Sequence, residues 1–257
     1  MNLEDEFPDV IRKAMMGQNI EASELAEKAG IEICEVSGLL HGDMEEQSAR
    51  HVAEVLNLDP ESLIALSDYQ PDDIAVSGVQ RKILPFGQWD VNAWLLEKNG
   101  TRLLFDTGFG AEDILSLIDP EGLDAVLITH ADRDHTGGAG ALKKLGVRVI
   151  SEVEALASGG FTFGEISIKT VDLAGHKSPA AGYFVQGFDR QLFVPGDAIF
   201  AGSMGKCDSQ DSYELALHTL GKAISLAEDT CAILPGHGPA TTVREELRSN
   251  PFRLGFR

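Results

Sequence analysis

Residues 129–138 read THADRDHTGG, and His130, Asp132, Asp134 and His135 set four potential metal ligands within six positions. Imidazole nitrogen suits zinc, iron and similar ions, while added carboxylate moves preference toward iron or manganese without excluding zinc. Other ligand-type residues stand far downstream, each beside glycine: His176 in AGHKSPAAGY, Asp197 in PGDAIFAG and His237 in PGHGPATT. Ligands so widely spaced need a fold that returns several chain segments to one place.

The elements in front of them can do this. LDAVLIT runs into His130, TVDLAG into His176, LFVPG into Asp197 and CAILPG into His237. Four strands that end in a ligand, three of them beside glycine, would put those side chains on one rim of a sheet, where loops hold a site rigidly. Further β-type runs are IAVSGV, NAWLLEKNGTRLLFDTG, VRVISE, ISIKTVDL and GYFVQGFDRQLF. Asn99-Gly100 predicts a tight type I′ hairpin turn. The runs AEDILSLI and SYELALHTLGKAISLA carry helical spacing, so residues 74–257 are expected to form an α/β sandwich of sheets covered by helices.

The front of the chain differs. Residues 1–75 hold 18 acidic against 4 basic side chains, and residues 76–257 hold 23 against 17, so the composition breaks near YQPDD at 69–73. From Glu21 to Leu66 apolar residues recur at helical spacing, broken by Gly30, Gly42 and Pro60, which predicts a small all-α domain over residues 1–70. Ala26, Gly30 and Val36 fall where a helix-turn-helix needs a small residue, a turn glycine and a branched apolar residue. The stretch resembles the repressor-type helix-turn-helix domains, which implies that a second helix, about 33–41, would enter the major groove of DNA. That helix offers Glu35, Ser37 and His41 and no Lys or Arg, so it is poorly equipped to neutralise phosphate or read guanine. A dimerisation or docking module is the better reading, and DNA binding is the alternative.

A formal net charge of -20 argues against nucleic acid and anionic membranes as partners. Cys34, Cys207 and Cys231 are too few and too scattered for a disulfide framework or a cysteine-only zinc site. No apolar run nears the roughly 20 residues of a membrane span, and the acidic N-terminus is unlike a signal peptide. A cytoplasmic protein acting on a small-molecule substrate is expected, with a homo-oligomer formed through the helical domain as one role for that domain.

From about residue 74 onward the chain resembles the metallo-β-lactamase superfamily. The resemblance rests on THADRDHTGG, AGHKSPAAGY, PGDAIFAG, PGHGPATT and the upstream LFDTG, in the family's order. The ending TTVREELRSNPF resembles the glyoxalase II-like branch. The resemblance implies an αββα sandwich and two divalent metal ions, zinc, iron or manganese. It implies one ion on His130, Asp132 and His176, a second on Asp134, His135 and His237, and Asp197 between them. Asp106 would brace the ligand loop from behind. A metal-activated water would attack an ester, thioester, lactone or phosphodiester, with Asp134 as its orienting or proton-shuttling group.

Asp132 departs from the family's commonest pattern, which has histidine there. An added carboxylate favours a harder ion and a less acidic bound water. The opposing reading turns Asp132 away from a single-metal site on Asp134, His135, His237 and Asp197. An iron-dependent, oxygen-reactive enzyme and a ligand-sensing regulator are the rival functions. Lys206, Tyr213 and Trp89 are the candidate substrate contacts. Cys207 reads as a small loop residue, Trp94 as core, and Lys177 as pointing either to the mouth or to solvent.

Overall fold

The computed structural model describes residues 3–256. Five helices lead the chain: α1 (Phe7–Gln18), α2 (Ala22–Ala29), α3 (Ile33–Leu40), α4 (Glu46–Val55) and α5 (Pro60–Ile64). α1 falls inside the all-α domain expected over residues 1–70, ahead of the Glu21–Leu66 stretch whose spacing predicts helices. Pro8 in its first turn lacks an N–H where none is needed, and Val10, Ile11 and Ala14 give it one apolar face. α2 and α3 join through a short turn in which Gly30 takes φ +66, and Ala26 and Val36 are both buried.

Two sheets follow. The first runs in spatial order through β1 (Val79–Phe86), β2 (Trp89–Lys98), β3 (Thr101–Phe105), β4 (Ala125–Leu127) and β5 (Val149–Ile150). The second comprises β6 (Gly160–Phe163), β7 (Ile166–Asp172), β8 (Ala181–Gln186), β9 (Leu192–Gly196), β10 (Ala232–Pro235) and β11 (Thr241–Thr242), ordered β11-β10-β9-β8-β7-β6. β2 and β3 form the expected hairpin, Asn99 and Gly100 both taking positive φ (47 and 87). The remaining helices are α6 (Ala111–Leu117), α7 (Arg133–Thr136), α8 (Ala139–Lys144), α9 (Glu152–Ser158), α10 (Gln210–Ile224) and α11 (Val243–Ser249).

Strand alternation assigns the layers, because successive side chains point to opposite faces. Trp94, Leu96, Leu103, Phe105 and Leu127 of the first sheet meet Tyr183, Val185, Leu192, Val194 and Leu234 of the second in the inter-sheet core. Their neighbours Val91, Ala93, Leu95, Leu104 and Val126 face outward onto Ile114 of α6 and Leu142 of α8. On the far side, Phe184, Phe193 and Ile233 point out into a third cluster with Leu220 and Ala223 of α10. The result is helix, sheet, sheet, helix.

The N-terminal helices share that third cluster: Val10, Ile11, Ala14, Leu25, Val36 and Leu63 pack in it with Tyr213 and Phe252. The approach of α1 to α10 is close, since a Cβ on Gly17 would fall 2.4 Å from the Tyr213 ring. Polar bonds reinforce it. Asp59 N donates to Pro251 O at 2.7 Å, and Arg253 pairs with Asp59 at 2.5 Å.

Two strand expectations change. Residues 74–78, IAVSG, lie outside every ladder, yet Val76 is still buried against the inter-sheet core. β1, QRKILPF with Val79 in front, has charges and a proline because it is an edge strand, where such residues deter pairing with other chains. Among the described residues, no helix is long and apolar enough to cross a membrane.

Glu246 of α11 is fully buried and accepts from Tyr69 Oη (2.8 Å), Thr241 Oγ1 (2.8 Å), Gly202 N (2.9 Å) and Asn250 Nδ2 (2.7 Å). It thereby ties the segment after α5 to the loop that follows β9. Burial raises its carboxyl from 4.5 to about 7. A pKa raised on folding adds stability that is full below the unfolded value and is lost as pH rises through the folded one. Urea unfolding of wild type and Glu246→Gln across about pH 5 to 7 is expected to show wild-type stability falling relative to the variant as pH rises.

Candidate metal centre

The ligand-type residues arrive where the sequence places them, just past strand ends. His130 follows β4, and Asp134 and His135 lie on α7, whose N-cap is Asp132. His176 follows β7 by a short turn, Asp197 directly follows β9, and His237 stands one glycine beyond β10. All seven meet at one rim of the two sheets.

They form two sets around Asp197. In one, Asp132 Oδ2 lies 3.7 Å from His130 Nε2 and 3.5 Å from His176 Nε2, and Asp197 Oδ2 lies 3.8 and 3.7 Å from the same nitrogens. In the other, Asp134 Oδ2 lies 3.8 Å from His135 Nε2 and 3.4 Å from His237 Nε2. Asp197 completes it, with Oδ1 3.3 Å from His135 Nε2 and Oδ2 3.5 Å from His237 Nε2. Separations of this size suit donors gathered around a cation.

Each imidazole is oriented from behind. His176 Nδ1 donates to Lys206 O at 2.6 Å, and His237 Nδ1 donates to Asp90 O at 2.7 Å. His135 Nδ1 donates to Asp106 Oδ2 at 2.9 Å. Thr129 Oγ1 donates to Asp106 Oδ2 at 2.8 Å and lies 2.9 Å from His130 Nδ1, whose proton it accepts. With every Nδ1 donating, every Nε2 presents a lone pair to the centre, the form that binds metal. Asp106 also accepts from Thr129 N at 2.8 Å. It takes φ 59, a left-handed conformation that a non-glycine residue adopts at a cost and that clusters at functional sites.

The charge balance tests whether these residues fit a metal. The Nε2 atoms of His130, His135 and His176 and Oδ1 of Asp197 are buried without any hydrogen-bond partner, a costly state unless a cation meets them. Burial and the neighbouring His135 hold His130 down at about 4. Burial opposes the charged forms elsewhere too, yet Asp197 and Asp106 raise His135 well above its ordinary value, and Asp197 and Asp134 raise His237 to about 10. Three carboxylates among four imidazoles thus demand positive charge, which protons or metal ions supply. The donor set fits divalent ions.

Asp132 turns toward the cluster through Oδ2, while its Oδ1 pairs with Lys177 Nζ at 3.0 Å. Lys177, partly exposed, turns to this carboxylate and offsets its charge. Trp89 is 58% exposed and borders a cavity of about 190 Å³ beside the ligands, with Phe86, Phe200 and Lys206. Lys206 also pairs with Asp208 at 2.9 Å. Tyr213 is not brought to this cavity, which corrects the expectation from sequence: it sits on the buried face of α10 against Gly17 and Phe252. Trp94 is core, its Nε1 donating to Pro235 O at 2.9 Å, and Cys207 is buried with its thiol pushed up to about 11 by burial.

Several residues of the site carry no sequence signal. Thr129 is one, although its place beside His130 marks it in hindsight. Asp90 and Lys206 act through backbone carbonyls, which any residue type supplies. Glu4 and Lys13 reach the cavity wall from the N-terminal segment. Glu4 Oε2 lies 3.9 Å from His237 Nδ1, and burial raises its carboxyl to about 7.

The two stacked sheets, their outer helices and this rim of ligands are the metallo-β-lactamase fold. The profile of the Metallo-beta-lactamase superfamily matches residues 86–170. The probable metallo-hydrolase YqgX of Bacillus subtilis is 28% identical over 209 residues, 67% of this chain and 97% of that protein. The hydroxyacylglutathione hydrolase GloC of Haemophilus influenzae is 26% identical, over 66% of this chain and 96% of its own length. Among solved structures, the B3 metallo-β-lactamase BLEG-1 superposes with a TM-score of 0.55 at 24% identity, over 68% of this chain and 99% of that one. TTHA1623, solved in a di-iron-bound form, does so at 0.51 and 25% identity, over 66% and 98%. These relatives are matched almost end to end, so about a third of this chain has no counterpart in them.

Asp106 braces the centre without facing it. Asp106→Ala is expected to lower metal affinity about 10- to 100-fold, read by competition with a chromophoric chelator.

Proposed function

We propose that the chain is a metal-dependent hydrolase holding two divalent ions, one on His130, Asp132 and His176 and one on Asp134, His135 and His237, with Asp197 shared. The observation that carries this reading is the convergence of four Nε2 atoms, three of them (His130, His135 and His176) buried without a hydrogen-bond partner, with Asp132 and Asp134 around buried Asp197. Bound there, divalent ions supply Lewis acidity and bring the pKa of water near neutrality. The relatives named as a metallo-hydrolase and a hydroxyacylglutathione hydrolase support this class.

The residues divide the remaining work. Asp134 faces both the second ligand set and the cavity, so it can orient the attacking water and hold its proton. Phe86, Trp89 and Phe200 provide an apolar wall for the acyl or aryl part of a substrate. Lys206 stands at the same wall as a donor to a developing oxyanion. An ester, thioester, lactone or phosphodiester meets these requirements. The helical front end serves here as a docked module rather than a DNA reader, since Lys and Arg are absent from α3.

A second reading is supported by Asp132 and by the di-iron form of TTHA1623: the ions are iron and the chemistry is oxygen-dependent. The two readings separate in one assay. The metal-replete protein is expected to hydrolyse p-nitrophenyl acetate or bis(p-nitrophenyl) phosphate, to lose turnover on chelation and to regain it on metal addition. Asp197→Asn is expected to cut kcat by about 100-fold or more. Iron-loaded protein that consumes oxygen and cleaves neither probe would replace the hydrolase with the second reading.

A further inference from the structure

We propose that Lys13 of α1 is a positioning residue of the metal centre: it anchors the loop of residues 198–208, and through that loop orients His176 and His237. The proposal rests on the metal-centre reading and gives the N-terminal helices a role in it.

Lys13 lies far from the ligands in sequence, yet its ammonium meets three groups beside them. It donates to Met204 O at 2.9 Å, pairs with Asp5, and sits 5.1 Å above the centre of the Phe200 ring. Only 16% of its side chain is exposed, so these contacts are little screened by solvent. The helix that carries it cannot drift, because Val10, Ile11 and Ala14 on the same helix are fully buried in the core shared with α10.

The loop it grips touches both histidines. The Phe200 ring meets His237 edge-on at 5.7 Å. Lys206 O accepts the Nδ1 proton of His176 at 2.6 Å. Between them Gly205 lies so close that a Cβ there would fall 3.0 Å from His176 Cγ and 2.1 Å from Asp197 O. Phe200 and Ser203 exchange backbone bonds at 3.0 and 3.2 Å, so the turn moves as one piece and holding Met204 also holds Phe200. Its other side is fixed by Asn250 Nδ2 on Ser203 O (2.9 Å) and by Glu246 on Gly202 N (2.9 Å). Lys13 supplies the clamp from the N-terminal side. Without the ammonium, the Met204 carbonyl keeps only the longer bond from Ser203 Oγ (3.5 Å), the Asp5 carboxylate loses its ion-pair partner, and the loop gains freedom where it sets two ligands.

Cobalt(II) tests this, since its visible absorption reports ligand geometry and its affinity can be measured by chelator competition. Lys13→Met is expected to weaken cobalt binding about 10-fold or more and to change the cobalt spectrum. Lys13→Arg is expected to restore most of both, because a guanidinium can reach the same carbonyl, carboxylate and ring. Leu25→Ala, a purely apolar deletion on α2 of the same helical bundle, is expected to lower stability while leaving affinity and spectrum unchanged. Should Lys13→Met not fold, Asp5→Asn, which removes the ammonium's counter-ion, is expected to shift affinity and spectrum in the same direction. Wild-type affinity and spectrum in Lys13→Met or Asp5→Asn would overturn the proposal, as would an equal loss in Leu25→Ala. A wild type that takes up no cobalt would overturn the metal centre itself, and Lys13's role with it.

Discussion

A carboxylate buried among imidazoles sets the terms for the rest of this structure. Asp197 sits within 4 Å of the Nε2 atoms of His130, His135, His176 and His237. It stays ionised against burial because His135 and His237 pull its pKa well below the ordinary value. Such an arrangement is unstable without positive charge at its middle. The surrounding fold serves to hold the donors apart at the right distance and leave that charge to a bound ion. The bonds behind the histidines, to Thr129, Asp106, Lys206 O and Asp90 O, complete the constraint by fixing each ring's tautomer.

Much of this was legible in the sequence, and the reason is local. Strands that run into His176, Asp197 and His237 announce their own ends, because a ligand-type residue beside glycine marks both a turn and a rim. The Asn99-Gly100 hairpin is equally local. What could not be read is non-local. β1 carries Arg81, Lys82 and Pro85 because it is an edge, and only the sheet order reveals that. Tyr213 follows Asp197 closely enough in sequence to suggest the site, yet helical periodicity turns it onto Gly17 of α1. The direction of Lys177 is set by its partner, Asp132, across a turn that sequence spacing does not describe. The ring-orienting carbonyls of Asp90 and Lys206 have no residue-type signature at all.

The acidic helical front end and the sheet domain differ in composition but meet in one apolar cluster. Tyr69 and Asp59 bond to the C-terminal segment, and Glu4 and Lys13 border the metal cavity. About a third of the chain thus lies beyond the match to relatives that are otherwise covered almost completely. Packing of this kind makes the helices part of the support for the rim, which is braced from both ends of the chain.

The number of metal ions bound per chain tests the central claim most directly. Native mass spectrometry of the protein purified with its own metal, read alongside elemental analysis, is expected to give two divalent ions per chain. One ion per chain, or none, would contradict the assignment of Asp132 and Asp197 to a shared two-ion centre.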